Sequence, residues 1–389
     1  MPLGVARDFN VRLSAESLRY NAGWATKLQG ETRDVSVPGN WHAYTRREAL
    51  GVAGLIVPWN VPLAITVSKL GAALAAGCTV VIKPAELTPL TAVRLVELCE
   101  QSGFPPGVVN LVLGAGTVAG QALVEHPGVD KISFTGSTAV GRHILRTAGN
   151  DFKRVSLELG GKSPVFIFDD ADLARAIPAA AMGIFANTGQ VCAAGSRLFV
   201  HRRVHDQVVE GIAAIATALK VGPGLAPDTQ IGPLISAQHR DRVAAYLEAG
   251  RREGAEVVAG GQVIDGPGYF VQPTVLRNTT ANMTVVREEI FGPVLSTFAF
   301  DDEASLAELV RQGNDTPYGL AAYVWSNDIN RVHRLAQGLK AGSVRVNTSL
   351  PMEPGMPFGG YKQSGWGREN GREGVEAYTE LKSVLIELT

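Results

Sequence analysis

The sequence predicts an α/β protein with two sizeable cores, and two observations carry that reading. Short β-branched runs alternate with longer apolar-periodic stretches from Gly51 to Leu113, and the alternation returns after Gly161. Strands separated by helices indicate parallel βαβ units, because a parallel neighbour is reached only through a crossover. The second observation is composition: 389 residues, 46% hydrophobic and 19% charged, describe a globular chain long enough to close two cores.

In chain order, Gly51 to Val57 is expected as a strand, followed by a helix from Pro62 to Ala76, a strand from Thr79 to Ile82, a helix from Pro89 to Ser102 and a strand from Val109 to Leu113. The second series runs through a strand at Pro164 to Phe168, a helix at Asp172 to Phe185 and a strand at Arg197 to His201. No repeat or low-complexity linker separates the two series.

Several function classes are excluded early. A net charge of −1 without a lysine or arginine block argues against nucleic acid, since phosphate neutralisation needs a basic patch. The three cysteines, 78, 99 and 192, cannot all pair, and no Cys/His spacing supplies four metal ligands. A reducing cytoplasm fits, no metal is expected, and Cys78 and Cys99 read as core. The start, Met1-Pro2-Leu3-Gly4, lacks a secretory pattern. Residues 61 to 82 could span a bilayer by length, yet Lys69 near the centre would cost about 2.5–3.5 kcal/mol. A buried helix and a buried strand are expected instead, with no membrane.

Three stretches carry chemistry. Cys192 stands in Phe185-Ala186-Asn187-Thr188-Gly189-Gln190-Val191-Cys192-Ala193-Ala194-Gly195-Ser196-Arg197, a loop of small residues. An isolated cysteine is often only a small buried hydrophobe. Glu158 stands in Val155-Ser156-Leu157-Glu158-Leu159-Gly160-Gly161-Lys162, where a carboxylate among apolar residues is costly unless paired or used. Asn60 closes a strand-like run between Pro58 and Pro62.

With Lys83-Pro84-Ala85-Glu86, Phe134-Thr135-Gly136-Ser137-Thr138, Glu288-Glu289-Ile290-Phe291-Gly292-Pro293 and Pro357-Phe358-Gly359-Gly360-Tyr361-Lys362-Gln363-Ser364-Gly365, the chain resembles the aldehyde dehydrogenase superfamily over essentially its whole length. The resemblance implies a Rossmann-like NAD-binding domain (1–26 and 49–160), an α/β catalytic domain (161–363) and a β oligomerisation element (27–48 and 379–389). In that element a hairpin at Lys27 to Glu48 pairs with the last strand, Lys382 to Leu388. It also implies Cys192 as nucleophile, Asn60 and the Cys192 N–H as oxyanion donors, and Glu158 as general base. Lys69 and Glu369 would pass the proton outward, and Arg368 and Glu380 would form an ion pair near an oligomer interface.

The chemistry is coherent. An aldehyde loses hydride only after a thiol has made its carbon tetrahedral, and the resulting thioester needs an activated water. A cysteine hydrolase would need a histidine base, and none of the seven histidines stands in such a motif. A binding protein derived from an enzyme has no reason to retain Asn60, Glu158 and Cys192 together. A coenzyme A-acylating dehydrogenase is a closer rival, against which the Leu-Glu-Leu-Gly-Gly setting of Glu158 favours hydrolysis; an inactive truncated form is the other alternative.

For the cofactor, Gly114 to Gly120 misses the dinucleotide fingerprint by one residue, so a tight turn is expected there, with Gly116 near the adenine by resemblance. Gly136 to Gly141 opens a helix and suits an anionic pyrophosphate. By resemblance Ser137 and Trp59 contact phosphate, Lys83 and Glu86 the ribose hydroxyls, Glu289 and Phe291 the nicotinamide ribose and ring, with Val57 and Leu159 also lining the cofactor. A carboxylate at the 2′-hydroxyl repels a 2′-phosphate, which favours NAD over NADP; the alternative for Glu86 is a solvated cap before Leu87-Thr88-Pro89.

The substrate positions implied are Val61, Ile65, Ser68, Ala186, Val191 and Phe358. Small residues at Val61, Ser68 and Ala186 suit an aromatic or medium-chain aldehyde, and Leu350 to Gly365 resembles phenylacetaldehyde-type members. Family chains carry about a hundred residues before the point matching Met1. An exposed apolar sheet around Val52 to Val57, Val80 to Ile82 and Val109 to Leu113 is therefore expected, with the hairpin and last strand available to pair between subunits of a homodimer or homotetramer.

Overall fold

The computed structural model describes residues 1–349 and 352–389. The stretch singled out from Leu350 to Gly365 thus begins with two residues, Leu350 and Pro351, that lie outside the described ones.

After a short turn, α1 (Leu3–Val5), come α2 (Arg12–Ala22), β1 (Thr32–Arg33), β2 (Trp41–Ala49), β3 (Val52–Ile56), α3 (Pro62–Ala75), β4 (Thr79–Lys83), α4 (Leu90–Gln101) and β5 (Val109–Leu111). The chain continues through α5 (Gln121–Glu125), β6 (Lys131–Thr135), α6 (Thr138–Ala148) and β7 (Arg154–Glu158). Next are β8 (Pro164–Ile167), α7 (Leu173–Phe185), β9 (Arg197–His201), α8 (His205–Ala218), α9 (Ala237–Arg252), β10 (Glu256–Ala259), β11 (Thr274–Arg277), β12 (Val294–Phe300), β13 (Ala321–Trp325) and β14 (Ser343–Val346). The last strand is Thr379–Glu387. The predicted elements therefore form, with ends shifted by a residue or two. Pro62 takes the first helical position of α3, where its missing N–H is no loss, and Asp172 caps α7 by accepting the Arg175 N–H.

The chain divides into two compact units. One comprises residues 10–158, 352–358 and 366–389, the other 1–9, 159–351 and 359–365. In the first, five parallel strands lie in the order β7-β6-β3-β4-β5. The chain moves outward from β3 to β5, then returns to the far side of β3 with β6. That reversal makes a crevice at the carboxyl ends of β3 and β6, where open α/β sheets bind ligands.

The exposed sheet face expected from the sequence is not found at the centre of this sheet. Leu55, Val80 and Ile82 are fully buried in a core with Val67 and Leu70 of α3 and Leu95 of α4. On Gly54 an added Cβ would meet Leu123 of α5 at 3.0 Å. Helices thus cover these strands, and each such side chain contributes about 1.5–3 kcal/mol by leaving water. Val112 and Leu113, just beyond β5, do remain exposed. The apolar run at 61 to 82 becomes buried α3 and β4, and among the described residues no helix is long and apolar enough to cross a membrane.

A three-stranded sheet in the same unit has the order β1, β2, last strand. As the resemblance implied for the 27–48 segment and the chain's end, β2 and the last strand pair antiparallel, from Thr379↔Ala49 to Glu387↔Trp41, and the last strand lies at the outer edge of this sheet. Glu380 accepts from Arg154 Nε at 2.6 Å. In the second unit, seven strands lie in the order β10-β11-β12-β9-β8-β13-β14, parallel except β10.

Candidate functional site

Within the first unit, the candidate residues gather at the carboxyl edge of the sheet. β3 runs out through Val57, whose N–H donates to the Lys83 carbonyl at 3.1 Å, into Trp59 and buried Asn60. β6 runs out into Gly136 and Ser137. Ser137 is the N-cap of α6, its hydroxyl accepting from the Val140 N–H at 3.4 Å. The first-turn amides of a helix generally point beyond its end, where an anion can meet them.

Lys83, buried at the end of β4, donates to Glu86 Oε2 at 3.2 Å. The Glu86 carboxyl lies below its ordinary range, chiefly through its own backbone N–H, with Lys83 and the Gly116 N–H adding to the effect. Lys83, Glu86 and Gly116 are therefore brought together. The cap reading of Glu86 fails, since α4 starts at Leu90 with Pro89 before it and no side-chain cap. The expected strand-to-helix turn is confined to Gly114, at φ +137, and Ala115, because Gly116–Gly120 is already a π-helical stretch that runs into α5.

Deeper in the same unit lies a polar group. Lys69 on α3 is ion-paired with Glu369, and Ser133 Oγ is 2.9 Å from Lys69 Nζ and 3.0 Å from Glu369 Oε1. Glu369 and Phe358 exchange backbone hydrogen bonds of 2.7 Å. Ser68, one residue before Lys69, is buried and donates to Asn370.

Glu158 ends β7 with both carboxylate oxygens buried and, among the described residues, accepting no hydrogen bond. Its carboxyl is pushed well above the usual range, first by burial and then by the Glu369 carboxylate, against the opposing pull of Lys69 and Arg368. Val61 and Ile65 are half-buried at the start of α3.

In the second unit, the candidate residues stand at the amino edges of three adjacent strands: Lys162 before β8, Cys192 before β9, and Glu289 with Phe291 before β12. Glycines let these loops touch. A Cβ on Gly160 would lie 2.1 Å from Glu289 Oε2, and one on Gly161 would lie 2.3 Å from the Cys192 carbonyl oxygen. The Gly161 N–H donates to Glu289 Oε1 at 3.0 Å. Leu159 begins this turn, its N–H donating to the Ser364 carbonyl at 2.9 Å.

Cys192 is half-buried, as are Ala186 and Val191 beside it. Tyr323 Oη secures the same loop by donating to the Ala193 carbonyl at 2.9 Å. Burial raises the Glu289 carboxyl to about 7, opposed by the Gly161 N–H and by Lys162.

Sequence reasoning missed two residues here. Lys162 is wholly buried, donates to the Val285 carbonyl at 2.8 Å, and is pushed down to about 7, mainly by burial. The signal was a lysine after two glycines in an apolar run. Ser133 gave no signal, because its partners are distant in sequence. Among the described residues, one group of potential metal ligands, Asp169, His201 and Asp302, comes together. Arg203 already bonds both of its carboxylates.

Comparison with known proteins bears on the family and the fold. The sequence profile described as "Aldehyde dehydrogenase family" matches residues 1–384. A putative aldehyde dehydrogenase of Bacillus subtilis (strain 168) is 48% identical over 387 residues, spanning 100% of this chain and 77% of its own. A phenylacetaldehyde dehydrogenase of Pseudomonas fluorescens is 46% identical over 387 residues, spanning 98% of this chain and 76% of its own. The NAD+ complex of an aldehyde dehydrogenase from Bacillus cereus superposes with a TM-score of 0.96 at 47% identity, over 100% of this chain and 78% of that one.

Proposed function

The chain belongs to the aldehyde dehydrogenase family, and from that premise we propose that it oxidises an aromatic or medium-chain aldehyde to the carboxylic acid with NAD. Cys192 adds to the carbonyl carbon, forming the C–S bond, and the oxyanion takes hydrogen bonds from the Asn60 amide and the Cys192 N–H, the kind of donor worth about 2.7–4 kcal/mol elsewhere. Bound NAD supplies the hydride acceptor that converts this adduct into a thioester. Glu158 then takes a proton from water as the water oxygen attacks the thioester carbon; the C–S bond breaks, the acid leaves and the Cys192 thiolate is regenerated. Lys69 and Glu369 carry the proton onward.

The observation that supports hydrolysis over transfer to coenzyme A is Glu158. A buried carboxylate, unbonded and raised above its usual range, has the basicity a water-activating group needs near neutral pH. The cofactor reading assigns the start of α6 with Ser137 and Trp59 to the pyrophosphate, Lys83 and Glu86 to the adenosine ribose, Gly116 to the adenine side, and Glu289 and Phe291 to the nicotinamide half, with Val57 and Leu159 lining it. The unit holding residues 10–158 is the cofactor domain in this reading, and the unit holding Cys192 the catalytic one.

The phenylacetaldehyde-oxidising relative and the small residues at Val61 and Ala186 support the substrate class. Exposed Leu381, Leu385 and Ile386 on the last strand support assembly into a homodimer or homotetramer, and three free cysteines suit a reducing cytoplasm. Absorbance of the reduced nicotinamide with a panel of aldehydes tests the reading. Phenylacetaldehyde or a medium-chain alkanal should give the highest kcat/KM without coenzyme A. Turnover that depends on coenzyme A, or none with any aldehyde, would overturn it.

A further inference from the structure

The turn after Glu369 holds a residue in a strained conformation. Asn370 stands at φ 58 and ψ 175, just before the short helix Gly371–Glu376, in a region of backbone space that is almost exclusively glycine's. Its neighbours fix it there from three directions. Glu369 exchanges both backbone hydrogen bonds with Phe358, the Gly371 N–H donates to the Pro354 carbonyl at 2.9 Å, and the Asn370 carbonyl accepts the Gly374 N–H at 2.8 Å. A glycine would make the same turn without strain, so the side chain is what the asparagine adds.

That side chain meets α3. Thr66 returns its hydroxyl to the Pro62 carbonyl at 2.6 Å, as hydroxyls within helices often do, whereas Ser68 donates to Asn370 Oδ1 instead. Both partners are buried, at 7% and 8% exposure. With Oδ1 engaged, the Nδ2 hydrogens are committed to no group among the described residues, yet Nδ2 is not one of the sealed, unpaired polar atoms. A donor so placed takes its partner from what enters the space in front of it.

The same unit walls that space. Ile65 lies one turn before Ser68 on the same face of α3, with Val61 one turn earlier, and both are half-buried. Half-buried Phe358 joins them through its backbone pair with Glu369. From Val61 to Ser68 is seven residues, about 10 Å of helix, the length of an aryl ring with a short linker. The wall is therefore apolar along its length and polar at its far end.

We propose that Asn370 is a specificity-determining residue whose amide N–H groups receive an oxygen substituent at the far end of the substrate, with Ser68 as the positioning residue that aims them. The substrate class becomes arylaldehydes that carry a para hydroxyl or ether oxygen. This role rests on the reading of Val61, Ile65, Ser68 and Phe358 as the substrate wall, with Asn60 at the aldehyde end. An alkyl group of the same size would leave the amide unpaired as it displaces water, and that penalty makes the discrimination.

The test compares isosteric pairs in the full chain with NAD: para-methoxyphenylacetaldehyde against para-ethylphenylacetaldehyde, and para-methoxyphenylpropanal against para-ethylphenylpropanal. Methoxy and ethyl fill nearly the same volume, but only methoxy accepts a hydrogen bond. The parent should prefer the methoxy member of at least one pair by about three- to tenfold in kcat/KM, the worth of one hydrogen bond, with the difference carried by KM. Asn370→Gly removes the amide and relieves the strained φ, and it should abolish the preference even where both rates fall. Ser68→Ala should reduce the preference, and Ser68→Thr, which keeps a hydroxyl, should recover it.

Ile65→Phe serves as the control for the underlying wall and should lower kcat/KM for every one of these aldehydes. If it does so while the parent shows no methoxy preference, or while Asn370→Gly keeps one, the role of Asn370 is overturned and the wall stands. If Ile65→Phe leaves all the rates unchanged, the wall reading falls and takes the inference with it. A preference unmoved by Ser68→Ala, or lost in Ser68→Thr as well, overturns the positioning role of Ser68.

Discussion

Lys69 and Glu369 lie 300 residues apart in sequence and form an ion pair in which the lysine side chain is completely buried. Ser133 joins them, its hydroxyl accepting from the ammonium and donating to the carboxylate. Removing one partner of such a pair leaves an uncompensated buried charge, worth about 3–5 kcal/mol. Lys69→Met and Glu369→Gln should each lower the denaturation midpoint sharply, whereas the double variant should lose less than the sum. Strictly additive losses in chemical denaturation would show that the two are uncoupled.

Glu158 must be ionised to act as a base, and burial holds its carboxyl well above the ordinary range. The hydrolytic step should therefore accelerate as pH rises through that elevated pKa, not near the usual value of about 4.3. Glu158→Gln should release about one equivalent of NADH in a burst and then turn over slowly. No burst, with no thioester on Cys192, would mean that Glu158 acts before hydrolysis.

The same burial predicts a stability effect of defined sign. A carboxyl whose folded pKa exceeds its unfolded value binds its proton more tightly in the folded state. Its contribution is present below the unfolded pKa and is lost as pH rises through the folded one. Glu158→Gln should therefore raise the melting temperature relative to the parent more at about pH 8 than at about pH 5. An equal shift at both pH values would contradict the raised pKa.

On the proposed cofactor reading, Glu289, at about 7, would accept from ribose hydroxyls with both oxygens only when ionised. The dissociation constant for NAD should fall between about pH 6 and about pH 8, and Glu289→Gln should flatten the profile. A profile with the same slope in the variant would assign the dependence to another group.

On the proposed cofactor reading, Glu86 decides cofactor choice through like-charge repulsion. The parent should favour NAD over NADP in kcat/KM, and Glu86→Ser or Glu86→Thr should narrow the ratio, with Lys83 left free to meet a 2′-phosphate. Equal efficiency in the parent would show that Glu86 does not face the ribose.

What the sequence made legible was whatever is local. Strand and helix alternation placed β3 through β5 and β8 through β9, with Arg197–His201 matched end to end, because β-branched runs, Pro62 and Asp172 act within a few residues. Family motifs pointed to Asn60, Glu158 and Cys192 for the same reason. Partnerships between distant segments stayed hidden. Nothing near Ser133 announces Lys69 or Glu369, and nothing near Glu380 announces Arg154. The exposed-sheet expectation failed because it judged strands without the helices α3 to α5 that cover them. The pairing of the 27–48 segment with the last strand was implied by the resemblance, but its register, Thr379↔Ala49 to Glu387↔Trp41, is defined only by the folded chain.

The central claim is covalent catalysis at Cys192, and the most direct measurement is the mass of the intact protein after brief mixing with NAD and phenylacetaldehyde in the Glu158→Gln background. The account predicts an added acyl mass that maps to the Cys192 peptide, appears with the NADH burst and vanishes in the Cys192→Ala, Glu158→Gln double variant. Substantial NADH formation by the double variant, or an acyl group on any other residue, would contradict it.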